Sequence, residues 1–339
     1  MKKNRTTLAE VAEVAGVSVA TVSKVLNDHS DVADSTRRRI QQLLRDFGYQ
    51  SNRRPVRRAG EDMDRLIEVS FPEWQNAYET AVLDGLSAAA EAAGYEIVIG
   101  PRAHGDRVDI DPDELRRSGR VGAIFVTVDA THPPIKALSD TGFPVVVVDP
   151  VRVGSTLCVS IGATNYAGGV TATEHLLSLG HRRIAHAGGP AAVECSQARV
   201  AGYYSALRQA GLDQDESLVT HSLFTYAAGR EVAGQLLDRD DRPSAIFAAC
   251  DEIALGILEE ARRRSIRVPE DLSVIGFDDS FLASRSAPPL TTVAQPLIEM
   301  GQLAVRSLLQ LVAGDVVGTR HLELATHLVV RDSTAAPRS

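Results

Sequence analysis

The chain has 339 residues, 44% of them hydrophobic and 24% charged, with a net charge of −8. That length exceeds what one core usually supports, so two or three domains are expected, of ordinary globular composition. No run approaches the roughly 18 apolar residues of a membrane span, and MKKNRTTLAEV has no apolar signal core, so a cytoplasmic protein without membrane contact is expected.

The first elements are three short helices. Thr7 caps the first, whose buried face is Leu8, Val11, Ala12 and Ala15. Gly16 supplies a positive φ at the turn. Ser18 caps the second helix, with Val22, Val25 and Leu26 inward, and the third runs from about Asp34 to Phe47 with Ile40, Leu43, Leu44 and Phe47 inward. The outward face of the second helix holds Ser18, Val19, Ala20, Thr21, Ser23, Lys24 and Asn27. These side chains are short and mostly hydrogen-bonding, with one long cation, and such a surface can approach base edges and phosphates closely. Two helices that only bury each other would more often expose Glu and Lys there. Charge points the same way. Residues 1–60 carry 12 Lys and Arg against 6 Asp and Glu, a net +6, so the rest of the chain is −14. A basic head on an acidic body suits a polyanion-binding module, although a solvated charged surface would look the same.

Residues 51–64, SNRRPVRRAGEDMD, contain Pro, Gly and four arginines, and read as a linker. Beyond Arg65 the pattern changes to short apolar strands, LIEVSF, YEIVIG, VGAIFVTV and FPVVVVD, alternating with helical stretches. RRIAHAGG, ARVAGYYSALRQAG, SAIFAAC, EIALGILEEARRR and LSVIGFDD repeat it. The fold class is therefore α/β: two units with parallel sheets and helices on both faces, behind a helix-turn-helix head. Ligands of such sheets bind beyond the carboxyl ends of the strands, and two facing units make a cleft. Trp74 follows the first strand, where an indole could stack on a ligand or simply pack in the core. Asp149 ends a strand on the same side. The cysteines Cys158, Cys195 and Cys250 fit neither a zinc spacing nor a disulfide framework, and no metal or cofactor is expected.

TLAEVAEVAGVSVATVSKVLN, followed by STRRRI and FGYQSN, resembles the DNA-binding head of the lactose-repressor (LacI/GalR) family. The resemblance continues in order through HLLSLGHRRIAHAGGP, ARVAGYYSAL, AACDEIALG, VPEDLSVIGFDD and PPLTTVAQP, and so covers nearly the whole chain. RRPVRR and GATNYAGG look like a subgroup of actinobacterial regulators of sugar and oligosaccharide use.

The resemblance implies a two-lobed sensor like a periplasmic binding protein. Its expected division is a head at 1–50, a linker at 51–64, a first lobe at 65–162 and 292–325, and a second lobe at 163–291 and 326–339. It implies a homodimer on double-stranded operator DNA, one head per half-site. Val19, Ala20 and Lys24 occupy its base-reading places. Thr7, Ser18, Thr21, Ser23, Asn27, Tyr49 and Asn52 occupy its backbone-contacting places. The linker departs from the pattern: Arg58 stands where the family wedges a leucine into the minor groove, and Pro55 opposes a hinge helix. Arg53, Arg54, Arg57 and Arg58 favour a phosphate or minor-groove arm instead, the alternative being a basic tether.

In the cleft, the resemblance implies Arg199 and Asp278 as hydrogen-bonding partners of a small effector, with Asn165, Tyr166 and Gln295 as further candidates at the lobe crossings. Cys250 stands where the family usually has asparagine, and a thiol is a weak donor and acceptor. Asp251 is expected to cap the following helix. No GxSxG, HExxH or phosphate loop is present, so an enzyme is not expected. The reading is a ligand-responsive regulator, a repressor of carbohydrate-use genes released by a sugar. The alternatives are a corepressor-dependent regulator, or a sugar-binding protein with no DNA role.

Overall fold

The computed structural model describes residues 12, 14–18, 21, 22, 25, 36, 39, 40 and 43 of the N-terminal segment, and residues 65–72, 76–100, 111–152, 158–315 and 317–338 beyond it. The chain divides into two units, Met1–Met63 and Asp64–Ser339.

In the first unit Ala12, Ala15, Val22, Val25 and Ile40 form a small core, with Val17 and Leu43 packed against it. These are inward positions of the helical spacing. Gly16 has φ +65°, and the Val17 amide donates to the Ala12 carbonyl (3.0 Å). The Ser18 hydroxyl accepts from the Thr21 amide (3.1 Å), as an N-cap does.

The second unit contains two six-stranded sheets. The first is built by β1 (Leu66–Ser70), β2 (Glu96–Ile99), β3 (Arg120–Val126), β4 (Val145–Val148), β5 (Val159–Ala163) and β11 (His321–Leu324), in the order β11-β5-β4-β3-β1-β2. All its pairings are parallel. The second contains β6 (Ile184–Gly188), β7 (Val219–His221), β8 (Ala245–Ala248), β9 (Ser273–Asp278), β10 (Thr291–Ala294) and β12 (His327–Val329), in the order β12-β10-β9-β8-β6-β7. Among the described residues its pairings are parallel except β10–β12, which is antiparallel. Central strands such as β4, VVVV, are buried throughout, because helices cover both faces.

The helices are α1 (Ala77–Ala92), α2 (Pro112–Arg117), α3 (Pro133–Asp140), α4 (Asn165–Ser178), α5 (Glu194–Gln209), α6 (Tyr226–Leu237), α7 (Asp251–Arg263) and α8 (Leu297–Val312). Helix α8 buries Leu297, Met300, Gly301, Ala304, Val305 and Leu308, one stripe at helical spacing, against α1 and the first sheet. Three helix pairs, α1 with α8, α4 with α5 and α6 with α7, cross on reciprocal glycines. A Cβ on Gly85, Gly301, Gly169, Gly202, Gly229 or Gly256 would overlap a backbone carbonyl oxygen of the partner helix. Any larger side chain there must push the helices apart, and overpacking of this kind costs about 1–3 kcal/mol or more.

The chain passes between the sheets three times: at Thr164, at Gln295–Pro296 and at Ala325–Thr326. Two of these passages are tied together, since the Thr326 amide donates to the Thr164 hydroxyl (3.0 Å). One boundary drawn from the sequence moves. Residues 292–294, assigned above to the first lobe, lie in the second sheet, because TTVA is a fully buried strand paired with both β9 and β12.

Candidate functional site

Backbone strain marks one region. Among the described residues, five non-glycine residues have positive φ, and four of them sit at carboxyl ends of parallel strands: Thr127 (53°) after β3, Asp149 (47°) after β4, and Asp278 (113°) and Asp279 (54°) at the end of β9. Such conformations persist only where the surroundings over-determine them, and they cluster at ligand sites. Strand ends of this kind are also where α/β sheets bind ligands.

Arg199 lies at the centre of this region, on α5, with 3% exposure. Its Nε donates to Asn165 Oδ1 (2.9 Å), and one Nη donates to the Ala249 carbonyl. Its guanidinium stacks 3.8 Å from the centroid of the Phe277 ring and lies 3.8 Å from Asp278 Oδ1. Two glycines permit this geometry. Gly169 lets the α5 backbone at Arg199 approach α4, and Gly168 leaves room for the Phe277 ring. Gln295 Nε2 donates to Asp278 Oδ1 (2.7 Å), while Gln295 Oε1 is buried and has no partner among the described residues.

The first lobe adds Asp149, which accepts from the Tyr78 hydroxyl (2.8 Å). Burial pushes the Asp149 and Asp278 carboxyls above the ordinary carboxylate range, and the Arg199 charge partly offsets it at both. The two lobes therefore share one electrostatic environment. They also touch beside the site: the Glu194 amide donates to the Val151 carbonyl (2.9 Å), and the Glu252 carboxylate accepts from the Ala77 amide. A cavity of about 360 Å³ lies between the first turn of α1, with Asn76 and Thr80, and the opposite lobe, with Glu252 and Phe281. None of the residues of the Arg199 network lines it. The network combines convergent polar groups with a strained backbone and is the better candidate for the site.

Asn165, Arg199, Asp278 and Gln295, proposed from the sequence, are thus brought together. Tyr166 is not in this network: its side chain is half exposed, and its carbonyl meets the glycine crossing at Gly202. Cys250 is 5% exposed and packs in the apolar core of the second lobe, where burial raises its thiol pKa well above the ordinary value. Cys195 stands close enough to feel Arg199, Asp149 and Asp278, and burial pushes its thiol pKa up to about 11. Trp74 lies outside the described residues.

Asp251 corrects an expectation. The N-cap of α7 is Cys250, and no side chain bonds there. Asp251 instead accepts from the Ser280 amide (2.7 Å) and the Thr292 hydroxyl (2.7 Å), which pins α7 to the ends of β9 and β10. Tyr78 and Phe277 were not picked out as site residues. Tyr78 reaches Asp149 across 71 positions of sequence, a pairing that no local pattern announces. Its place in the first turn after β1 was the available signal.

In the head, Ser18 is exposed and Thr21 is half-buried, and their hydroxyls lie 2.9 Å apart. The other candidate DNA contacts, Thr7, Val19, Ala20, Ser23, Lys24, Asn27, Tyr49, Asn52, Arg53, Arg54, Arg57 and Arg58, lie outside the described residues. Among the described residues no helix is long and apolar enough to cross a membrane, and no cluster of metal-ligating side chains occurs.

Comparison with known proteins converges on one family. Residues 7–52 match the family described as bacterial regulatory proteins, lacI family, and residues 173–334 match the periplasmic binding protein-like domain. The HTH-type transcriptional regulator MalR of Streptomyces coelicolor is 36% identical over 341 residues, covering 98% of this chain and 97% of MalR. A solved complex of the transcriptional regulator CelR with cellobiose is similar at 32% identity and TM-score 0.73, covering 97% of this chain and all of that one. The lac repressor dimer bound to operator and the anti-inducer ONPF is similar at 28% identity and TM-score 0.74, covering 98% of this chain and all of that one. With head and sensor both matched, in order and over nearly the full length, the chain belongs to the lacI family of bacterial regulatory proteins.

Proposed function

We propose that this DNA-binding transcriptional regulator is a cytoplasmic repressor of carbohydrate-use genes, released from its operator by a sugar bound between the lobes. The observation that carries the sugar reading is the Arg199–Asp278–Gln295 network. It offers a guanidinium that donates, a carboxylate that accepts, and a buried amide oxygen with no partner among the described residues, all at one strained strand end. Acceptors of this kind suit the adjacent hydroxyls of a sugar ring, and the Phe277 ring fixes the guanidinium plane beneath them. The cellobiose complex of CelR supports the same ligand class. Asn165 orients Arg199, and Tyr78 with Asp149 presents the wall of the first lobe. Trp74 and Tyr166 are the remaining proposed contacts, while Cys250 is packed in the second-lobe core and contributes shape rather than a hydrogen bond.

On the DNA side, the proposed contacts are Val19, Ala20 and Lys24 to bases, and Thr7, Ser18, Thr21, Ser23, Asn27, Tyr49 and Asn52 to the backbone. The linker arginines Arg53, Arg54, Arg57 and Arg58 add phosphate or minor-groove contacts. The lac repressor dimer on its operator supports a homodimer reading two half-sites. The sugar changes the angle between the lobes, and the first lobe carries this change to the heads. Linkage then requires operator DNA to weaken sugar binding by the same factor. The test is a gel-shift on the DNA upstream of its own gene, with mono- and disaccharides added singly. Release by one sugar supports the reading. Tightening by a sugar makes the ligand a corepressor, and indifference to all of them removes the sugar reading.

A further inference from the structure

We propose that Arg331, in the C-terminal tail, positions Asp278 for its ligand by clamping the strained turn at Asp278–Asp279. The inference rests on the reading of Asp278 as an effector contact.

Asp278 and Asp279 are consecutive L-residues with φ 113° and 54°. The first value lies outside even the left-handed helical region that Asp tolerates, so the chain left alone would relax away from it. Three groups hold it. Gln295 does so from β10, its side chain donating to Asp278 Oδ1 (2.7 Å) and its amide to the Asp278 carbonyl (3.2 Å). Asp251 accepts from the Ser280 amide (2.7 Å) on the far side of the turn. Arg331 takes the middle: one Nη donates to Asp279 Oδ1 (2.6 Å), and the other donates to the Leu290 carbonyl (2.8 Å).

Gln295 and Asp251 are bound into the sheet or its neighbouring helix. Arg331 comes from a tail that must itself be anchored, and it is. Its amide donates to the Thr291 hydroxyl (2.9 Å). Two residues on, the Ser333 hydroxyl accepts from the Thr291 amide (2.8 Å) and donates to the Val274 carbonyl (2.6 Å). The tail is thereby laced between β9 and β10, and the guanidinium has a fixed origin. Charge gives Arg331 a second task. Asp251, Asp278 and Asp279 crowd one corner, and the Asp279 charge acts on Asp251 through space. The Arg331–Asp279 pair is partly buried, with side chains 20% and 26% exposed, so water screens it only in part. Without Arg331, Asp279 would swing away from the other carboxylates and carry the Asp278 backbone with it. Arg331 is thus a positioning residue: it meets the site through Asp279.

The test uses the full-length protein, with Arg331→Ala, Arg331→Gln, Asp279→Ala and the Arg331→Ala/Asp279→Ala double variant. Hydrogen exchange at the Ser280 and Gln295 amides reads the turn without ligand. Each single variant should exchange there roughly tenfold faster, while β4 amides in the first sheet stay as in the wild type; Arg331→Gln should lie between. The double variant should be no faster than Arg331→Ala alone, because Asp279→Ala removes only a contact that Arg331→Ala already removes. Unchanged exchange at the two amides, or a double variant whose effect is the product of the singles, overturns the proposal. Calorimetric titration with cellobiose and with maltose is run beside it, including Asp278→Asn. Loss of sugar binding in Asp278→Asn but not in Arg331→Ala overturns the proposal and leaves the site reading intact. Binding unaffected in Asp278→Asn overturns the site reading itself, whatever the exchange shows.

Discussion

Replacing Arg199 by methionine removes the cation and keeps an apolar stem of similar length over the Phe277 ring, so the loss is electrostatic rather than volumetric. Arg199 is 3% exposed and Asp278 8% exposed at the side chain, so neither charge is relieved by solvent when the other is removed. Breaking one side of such a pair costs about 3–5 kcal/mol while the remaining charge is retained. The remaining charges need not be retained, however. Asp149 and Asp278 already sit above the ordinary carboxylate range because of burial, and Arg199 is the group that pulls both down. Without it they hold their protons to still higher pH. A carboxyl raised in this way binds a proton in the fold at a pH where the unfolded chain has lost it. Stability then falls as pH rises from the ordinary carboxylate value of about 4 up through the folded one. Burial holds the Asp278 carboxyl up at about 8 even with Arg199 present, so the deficit of Arg199→Met is expected to be smaller near about pH 6.5, where both proteins keep that proton, and large near about pH 9.5, above the wild-type value. The difference should be about 1–3 kcal/mol, since each unit of extra shift is worth about 1.4 kcal/mol per group. Guanidinium-chloride unfolding of wild type and variant at the two pH values measures it. A deficit below about 1 kcal/mol at high pH, or one equal at both, would refute the shared electrostatic environment of Arg199, Asp149 and Asp278.

Two further outcomes are expected. Lys24→Ala should weaken operator binding by about 1–3 kcal/mol if it reads a base, with fold and oligomeric state unchanged; fluorescence anisotropy across a salt series checks this, and an affinity equal to wild type at every salt concentration counts against it. Gly202→Val should lower unfolding stability by about 3 kcal/mol or more, because its side chain must displace the Tyr166 carbonyl and the start of α4; a loss below about 1 kcal/mol in the same denaturation assay would mean that the helix crossing is not tight.

The parts of the fold read directly from sequence are those with a local cause. Apolar strands alternating with helical stretches required covered parallel sheets, and the head's helical spacing picked out Ala12, Ala15, Val22, Val25 and Ile40 as its core. Lobe boundaries were less legible, because TTVA is equally apolar whichever sheet it joins; only its pairing with β9 and β12 decides. Arg199 and Asp278 came from resemblance, since nothing local distinguishes an arginine inside a helix from a surface cation. Asp251 looked like a cap because it opens a helix, yet its partners Ser280 and Thr292 lie 29 and 41 positions away. Tyr78 was hidden for the same reason. Local spacing reports which face of an element is buried; it does not report what meets it.

The most direct test of the account is operator release measured by fluorescence anisotropy, with labelled upstream DNA and a series of mono- and disaccharides, for wild type and Asp278→Asn side by side. The account predicts that one sugar releases wild type from DNA, that Asp278→Asn binds the same DNA with wild-type affinity, and that the sugar no longer releases it. Release of Asp278→Asn at the wild-type sugar concentration would contradict the assignment of the effector to this strand end.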